Sequence, residues 1–291
     1  MTSNEWPLVF FTLLSQISVG VILSGFAIMV FAKNCDLALN LHFRSSLLLS
    51  GFIFLALASV LSFLHLARPG NSVFAFSNFA NSQLSREILL MILYWALIAF
   101  AYFAHRTSFV SPTGYIWLNF LVVAVGVLFL VVMSKVYMLP TIPPWNTPLT
   151  PIRFFASSAL LGAGFVILLL VSNHQINFLA KNSDSALLVL ALLMVLGALA
   201  AIIPEFIGLT NQINDPTSSF QLPQIPTTLI LGRVVLLIFG IIIFAVWYIG
   251  TIKNIINLQS PFIPISGFVI LLASEIIGRW LFYSSYYRIG I

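Results

Sequence analysis

Four ionisable side chains, His65, Arg68, Arg86 and Glu87, fall close together at the facing ends of two long apolar runs. An imidazole and a carboxyl are the side chains best suited to trading protons near neutral pH. Ionisable groups beside hydrocarbon are rare because they are costly, and where they occur they usually line a ligand or proton path. Ser62, His65 and Arg68 are spaced one helical turn apart and therefore share a face. Ser85 suits a helix N-cap, which puts Glu87 in the first turn of the next helix. Two readings stand here. In one, His65 snorkels to the interface, Arg68 binds helix-end carbonyls and Glu87 complements a helix dipole. In the other, the connection between the helices brings His65 and Glu87 to one pocket, where both accept protons.

Further polar groups recur at comparable depth. Glu275 and Arg279 are spaced i,i+4 with the acid first, the better order for an ion pair within one helix. Arg233 stands near the start of helix 7, Lys135 and Tyr137 at the end of helix 4, and Thr12 and Gln16 in helix 1. Trp145, within Pro143-Pro144-Trp145-Asn146, serves either as an interfacial anchor or as a flat wall against an aromatic ring.

The elements that position these groups follow from composition. The 291 residues are 60% hydrophobic and 7% charged, with 27 Phe. That describes an integral membrane protein. Runs of about 20 apolar residues, enough to cross a bilayer, occur at roughly 8–32, 44–67, 86–105, 113–139, 152–173, 184–203, 226–252 and 261–286. The expected fold is an all-α bundle of eight transmembrane helices, forming a single domain over residues 1–291. Trp6, Trp117, Trp145 and Trp280 fall near run ends, as an aromatic belt requires, and Gly162, Gly164 and Gly197 suit close helix approach. The first run is too long for a signal peptide and lacks a basic leader, so it should remain as helix 1. The single Cys35 allows no internal disulfide, Cys-ligated iron–sulfur cluster or CxxC pair.

An even helix count puts both termini on one side, here called the terminal side, with the longer loops 69–85, 140–151 and 204–226. The shorter connections opposite carry Lys33, Arg44, Arg106, Lys181 and Lys253. Seven bases and five of the seven acids lie toward the terminal side, several embedded in helix ends beside one another. Taken as site residues rather than loop charges, they leave the opposite five as positive-inside decoration, which places the termini outside the cytoplasm. A membrane b-type haem needs two buried histidines at matching depth. His42, His105 and His174 sit at helix ends on the opposite side and are expected to snorkel, so no haem is expected. No phosphate loop, zinc motif or nucleophile elbow occurs, and no nucleic-acid partner is expected.

The residues Glu5-Trp6-Pro7-Leu8, His65-Leu66-x-x-Pro69, Leu84-Ser85-x-Glu87-Ile88, Pro144-Trp145, and Glu275-Ile276-Ile277-Gly278-Arg279 with Phe282-Tyr283 come in a telling order. Together they resemble the DmsC family of dimethyl-sulfoxide-reductase membrane anchors, nearly end to end. The resemblance implies a bacterial inner-membrane subunit that oxidises a quinol, typically menaquinol, and passes two electrons to an iron–sulfur subunit feeding a molybdopterin-containing catalytic subunit. It implies that His65 and Glu87 belong to the quinol site. Arg68 and Arg86 would then stabilise anionic states of the quinol, and the terminal-side loops would dock the iron–sulfur subunit. Gln16, Tyr137, Trp145, Arg233, Glu275 and Arg279 are supporting candidates. Two other readings remain: a proton-coupled transporter, and a quinol anchor of a polysulfide- or nitrite-reductase type.

Overall fold

The computed structural model describes residues 6–31, 41–65, 78–107, 109–172, 184–214, 226–253 and 262–286; Leu41, His65, Pro112, Asp184, Ser185 and residues 208–214 are placed by their backbone alone. These residues form α1 (Trp6–Phe31), α2 (Leu41–His65), α3 (Gln83–Thr107), α4 (Pro112–Tyr137), α5 (Leu149–Ser172), α6 (Asp184–Asn214), α7 (Thr227–Lys253) and α8 (Phe262–Ser284). All eight are long and apolar enough to cross a membrane. Helices are what such a sequence must form in lipid, because each backbone N–H and C=O then finds its partner inside its own segment.

Two helices are central. α1 and α5 have about two thirds of their spanning windows buried inside the protein, 67% and 72%, whereas α2, α3 and α7 have 28% and turn much of their surface outward. Exposed Leu57, Leu64, Phe103, Leu196 and Val235 are therefore the lipid-facing surface of an ordinary bundle. α1 packs against α2 and α5, α5 against α6, α3 against α4, and α7 against α8. Small polar residues mark the faces of α1: Ser18 donates to the Gly51 carbonyl of α2 at 2.7 Å, and Thr12 returns its hydroxyl to the Leu8 and Val9 carbonyls.

The α1–α5 crossing is close because both sides lack a side chain. A Cβ on Gly20 would strike the Ser158 carbonyl oxygen, and one on Gly162 would strike the Gly20 backbone. Backbone-to-backbone approach of this kind is how helices associate where no hydrophobic effect drives them together. Gly197 of α6 likewise faces the α5 backbone at Ala156 and Leu160, while Gly164 makes room for the Phe268 ring rather than for a neighbouring backbone.

The expected helix bounds and aromatic belt are corrected at α6 and at Trp145. α6 does not stop before Pro204 but runs on to Asn214 with the proline inside it, so the segment expected to be a loop from 204 begins as helix. Membrane helices tolerate an internal proline because neighbouring groups re-satisfy the freed carbonyl. Trp6, Trp117 and Trp280 are exposed as a belt requires, but Trp145 is 9% exposed and belongs to the core. Substituting Gly162→Val should force α1 and α5 apart and cost about 1–3 kcal/mol of stability. Gly232→Ala, where nothing lies within 4 Å, should be neutral; thermal unfolding of the purified protein in detergent compares the two.

Candidate functional site

Polar side chains from six helices meet in the terminal half of the bundle. On α8, Glu275, Arg279 and Tyr283 are four residues apart and share one face. All three are buried, at 1%, 3% and 1% exposure. Each reaches a different neighbour. Glu275 Oε1 accepts from Arg233 Nη2 of α7 at 3.2 Å, and its Oε2 accepts from Ser157 of α5 at 2.5 Å. Arg233 Nη1 binds Glu205 Oε1 of α6, which also faces Arg153 Nη2 of α5 at 3.6 Å. Arg279 Nη2 donates to Gln16 Oε1 of α1 at 2.7 Å, and its guanidinium lies 4.1 Å over the Phe154 ring. Tyr283 donates to Tyr137 Oη of α4 at 3.0 Å and lies 3.4 Å from Thr12 Oγ1.

The expected ion pair between Glu275 and Arg279 is therefore not made. Glu275 turns to Arg233 across the helix interface, where Ser274 Oγ also donates to the Arg233 carbonyl at 2.9 Å. The geometry depends on Gly278, where an added Cβ would strike the Arg233 guanidinium. With Glu275 near the middle of α8, this network reaches deeper than a collection of helix-end charges would.

Glu87 differs from the other two buried acids. α3 begins at Gln83, so Ser85 lies inside the helix rather than at its N-cap, its N–H donating to Ser82 Oγ at 3.2 Å, and Glu87 falls in the second turn, 4% exposed. Its Oε1 has no hydrogen-bond partner among the described residues. It is near enough to Tyr137 and Tyr283 to interact electrostatically with both phenols. Trp145 closes the neighbouring side. Its indole stacks on Phe282 at 5.3 Å and 17°, and its Nε1 donates to the Phe282 carbonyl at 2.8 Å. One face of the expected wall is thus covered by the protein's own ring, and the indole N–H is engaged rather than anchored at an interface.

His65 is the last residue of α2, which packs against α3; its side chain and all of Arg68 lie outside the described residues, as do Glu5 and His174. Arg86 donates from Nε to the Phe79 carbonyl at 3.0 Å and from Nη2 to the Ala80 carbonyl, bracing the turn that leads into α3. Lys135 is exposed. An apolar recess of about 100 Å³ between α5, α6 and α7, lined by residues such as Leu187, Met194, Phe244 and Trp247, shares no residue with the cluster. Among the described residues, no three His, Cys, Asp or Glu side chains gather as metal ligands.

At the other end of the bundle, His105 does not snorkel. It is 2% exposed, stacked on Tyr115 at 4.3 Å and 9°, because Tyr115 and Asn119 of α4 offer a ring face and a hydrogen-bond partner inside the protein. Several participants in the terminal cluster are not among the site candidates that the sequence offers, Glu205, Tyr283 and Ser157 among them. Pro204 makes the stretch around Glu205 read as loop; Tyr283 is legible as the next step of the Glu275–Arg279 stripe; Ser157 carries no signal that distinguishes it from other helix serines.

Breaking a buried ion pair by removing one partner costs about 3–5 kcal/mol. Arg233→Leu should approach that, since it strips Glu275 of its ion-pair partner among the described residues and leaves Glu205 only Arg153. Glu205→Gln should cost less, because Arg233 keeps Glu275. Thermal or denaturant unfolding of the two variants tests the order.

The family described as DMSO reductase anchor subunit (DmsC) matches residues 1–285 of this protein. The sequence is 28% identical over 289 residues to the C subunit of the anaerobic dimethyl sulfoxide reductase of Haemophilus influenzae, an alignment covering 99% of this protein and 96% of that one. It is 26% identical over 295 residues to the anaerobic dimethyl sulfoxide reductase subunit YnfH of Escherichia coli K12, covering 99% and 97%. The C subunit of the same organism's anaerobic dimethyl sulfoxide reductase is 26% identical over 294 residues, again covering 99% and 97%. With eight membrane-length helices and a match that runs almost from end to end, the protein belongs to the DMSO reductase anchor subunit family.

Proposed function

We propose that this anchor oxidises a quinol, menaquinol above all, at the terminal end of the bundle in the bacterial inner membrane. Two electrons leave for an iron–sulfur subunit and go on to a molybdopterin-containing catalytic subunit, while two protons are released on the terminal side. The carrying observation is Glu87: a buried carboxyl with an oxygen unpartnered among the described residues, in electrostatic reach of a pair of hydrogen-bonded phenols. Buried polar atoms are normally satisfied, and those that are not tend to mark ligand or proton-transfer positions.

The residues present suit a quinol. Glu87 Oε1 is free to accept a hydroxyl proton, and Tyr137 and Tyr283 can both donate and accept beside it. Thr12 joins the phenols to α1. His65, at the end of the helix packed on α3, is the second proton acceptor and hydrogen-bonds the quinol's other hydroxyl. Arg279, with Nη1 unpartnered among the described residues, supplies fixed positive charge behind the phenols. Trp145 and Phe282 form an aromatic flank, Arg86 holds the turn before α3 in shape, and Arg68 adds charge on the same connection. Arg233 and Glu275 hold α8 in register. Neither haem nor an iron–sulfur cluster is assigned to this protein, so the acceptor cluster must dock close by. The terminal-side connections are the proposed docking surface, and the termini are proposed to lie outside the cytoplasm. The relatives' description as parts of anaerobic dimethyl sulfoxide reductases supports the reading.

General acid–base groups contribute about 10²–10⁴-fold to rate. In a fully assembled complex, Glu87→Gln and His65→Ala should each lower quinol oxidation by about a hundredfold or more, while electron transfer from an artificial donor to the catalytic subunit is unchanged. An unaltered quinol rate in either assembled variant removes that residue from the site. Cross-links from the iron–sulfur subunit should map to the terminal-side loops; cross-links confined to residues 33–44 or 181–184 would sink the docking assignment.

A further inference from the structure

The end of the bundle far from Glu87 holds a second buried polar group. Arg44, in the first turn of α2, is 7% exposed; His105, in the last turn of α3, is 2% exposed; Tyr115 and Asn119, near the start of α4, are 6% and 5% exposed. Arg44 interacts electrostatically with both His105 and Tyr115. Tyr115 donates its hydroxyl to the Ala104 carbonyl at 2.8 Å, fastening α4 to α3. Asn119 Nδ2 donates to the Tyr115 carbonyl at 2.8 Å and faces His105 Nε2 at 3.4 Å. An amide N–H directed at Nε2 makes that nitrogen the acceptor and leaves the ring proton on Nδ1.

Two buried N–H donors have no acceptor among the described residues, Nδ1 of His105 and Nε of Arg44. Among the described residues no carboxylate lies within 4 Å of Arg44; the three ion pairs found all lie at the other end. Burying a guanidinium without a counter-charge is expensive. Its position compounds the cost, since the first turn of a helix carries positive dipole potential and favours anions over cations. A negative charge with acceptor oxygens, which the described residues do not supply, would relieve all of these at once.

Depth suggests the carrier of that charge. Exposed Phe109 and Trp117, on the connection and first turns beside Tyr115, mark this end as the membrane interface. Basic pockets between membrane helices at this level accept lipid head groups. We propose that Arg44 and His105, framed by Tyr115 and Asn119, form a binding site for a phosphate oxyanion, supplied by an anionic phospholipid head group. Arg44 meets the phosphate charge and His105 Nδ1 donates to a phosphate oxygen, pinning the ends of α2, α3 and α4 together. This site is separate from the quinol reading and does not depend on it.

The test is native mass spectrometry of the purified complex after delipidation, with phosphatidylglycerol, phosphatidylcholine of the same acyl composition, or inorganic phosphate added back. Wild-type protein should retain phosphatidylglycerol over phosphatidylcholine. Arg44→Gln should weaken that retention about fivefold or more, the scale of one basic residue at a lipid surface. Arg106→Gln, which alters an exposed neighbouring base, should leave it unchanged. Displacement of the lipid by millimolar phosphate would assign the same oxyanion chemistry to a soluble ion. Retention of both lipids to the same degree by wild type, or undiminished phosphatidylglycerol retention in a folded Arg44→Gln protein, would overturn the proposal. If Arg44→Gln does not fold, the wild-type comparison of the two lipids decides alone.

Discussion

A charge buried among membrane helices must be paired, and in this protein Arg233 is where that requirement concentrates. Its guanidinium stands between Glu205 and Glu275, so one side chain of α7 ties α6 to α8. Removing any partner exposes an ion to a medium that cannot solvate it, and the local packing yields to that demand. Gly278 has no side chain where the guanidinium passes, and Ser274 holds the Arg233 backbone. From Glu275 the connection continues through Ser157 into α5 and along α8 to Arg279 and Gln16, reaching central α1. The aromatic layer of Phe154, Phe282, Tyr137 and Trp145 lies against this network and is ordered by it.

Buried acids here fall into two kinds. Glu205 and Glu275 are held by guanidinium groups, which ties them into the contacts between helices. Glu87 has no ion-pair partner among the described residues and keeps an oxygen free. Its neighbours are phenols, groups that pass protons without carrying a permanent charge. A buried carboxyl that interacts electrostatically with Tyr137 and Tyr283, and forms no ion pair with an arginine among the described residues, is the group on which the proposed proton transfer rests.

The helices are legible in the sequence because hydrocarbon leaves so few options. Runs of apolar residues mark all eight within a few residues at most ends, and the large miss, the extension of α6 through Pro204, comes from applying a soluble-protein rule in a membrane. The glycines at 162 and 197 are recognisable, but Gly20 is not, since its partner lies more than a hundred residues away. Residues are easier to find than their pairings. Glu275 and Arg279 look like a pair along the sequence, but a carboxylate on a helix face can turn outward, and which neighbour it meets depends on how α7 and α8 pack. His105 misleads for the same reason: its position at a helix end says nothing of the ring face that Tyr115 presents to it.

The charge network also bears on the order in which the protein can be made. Glu205 enters the membrane on α6, 28 residues before Arg233, a delay of a few seconds at translation rates of about 5–20 residues per second. Arg153 of α5 is already present by then and stands 3.6 Å from Glu205 in the finished fold. It can receive the carboxylate as a provisional counter-ion until α7 arrives. Arg233 in turn inserts beside an acid that is waiting for it, and it is the counter-charge that lets Glu275 follow, 42 residues later. Read from the N-terminus, the network is an alternation of base, acid, base and acid in which each ion after Arg153 enters the bilayer with an opposite charge there to meet it.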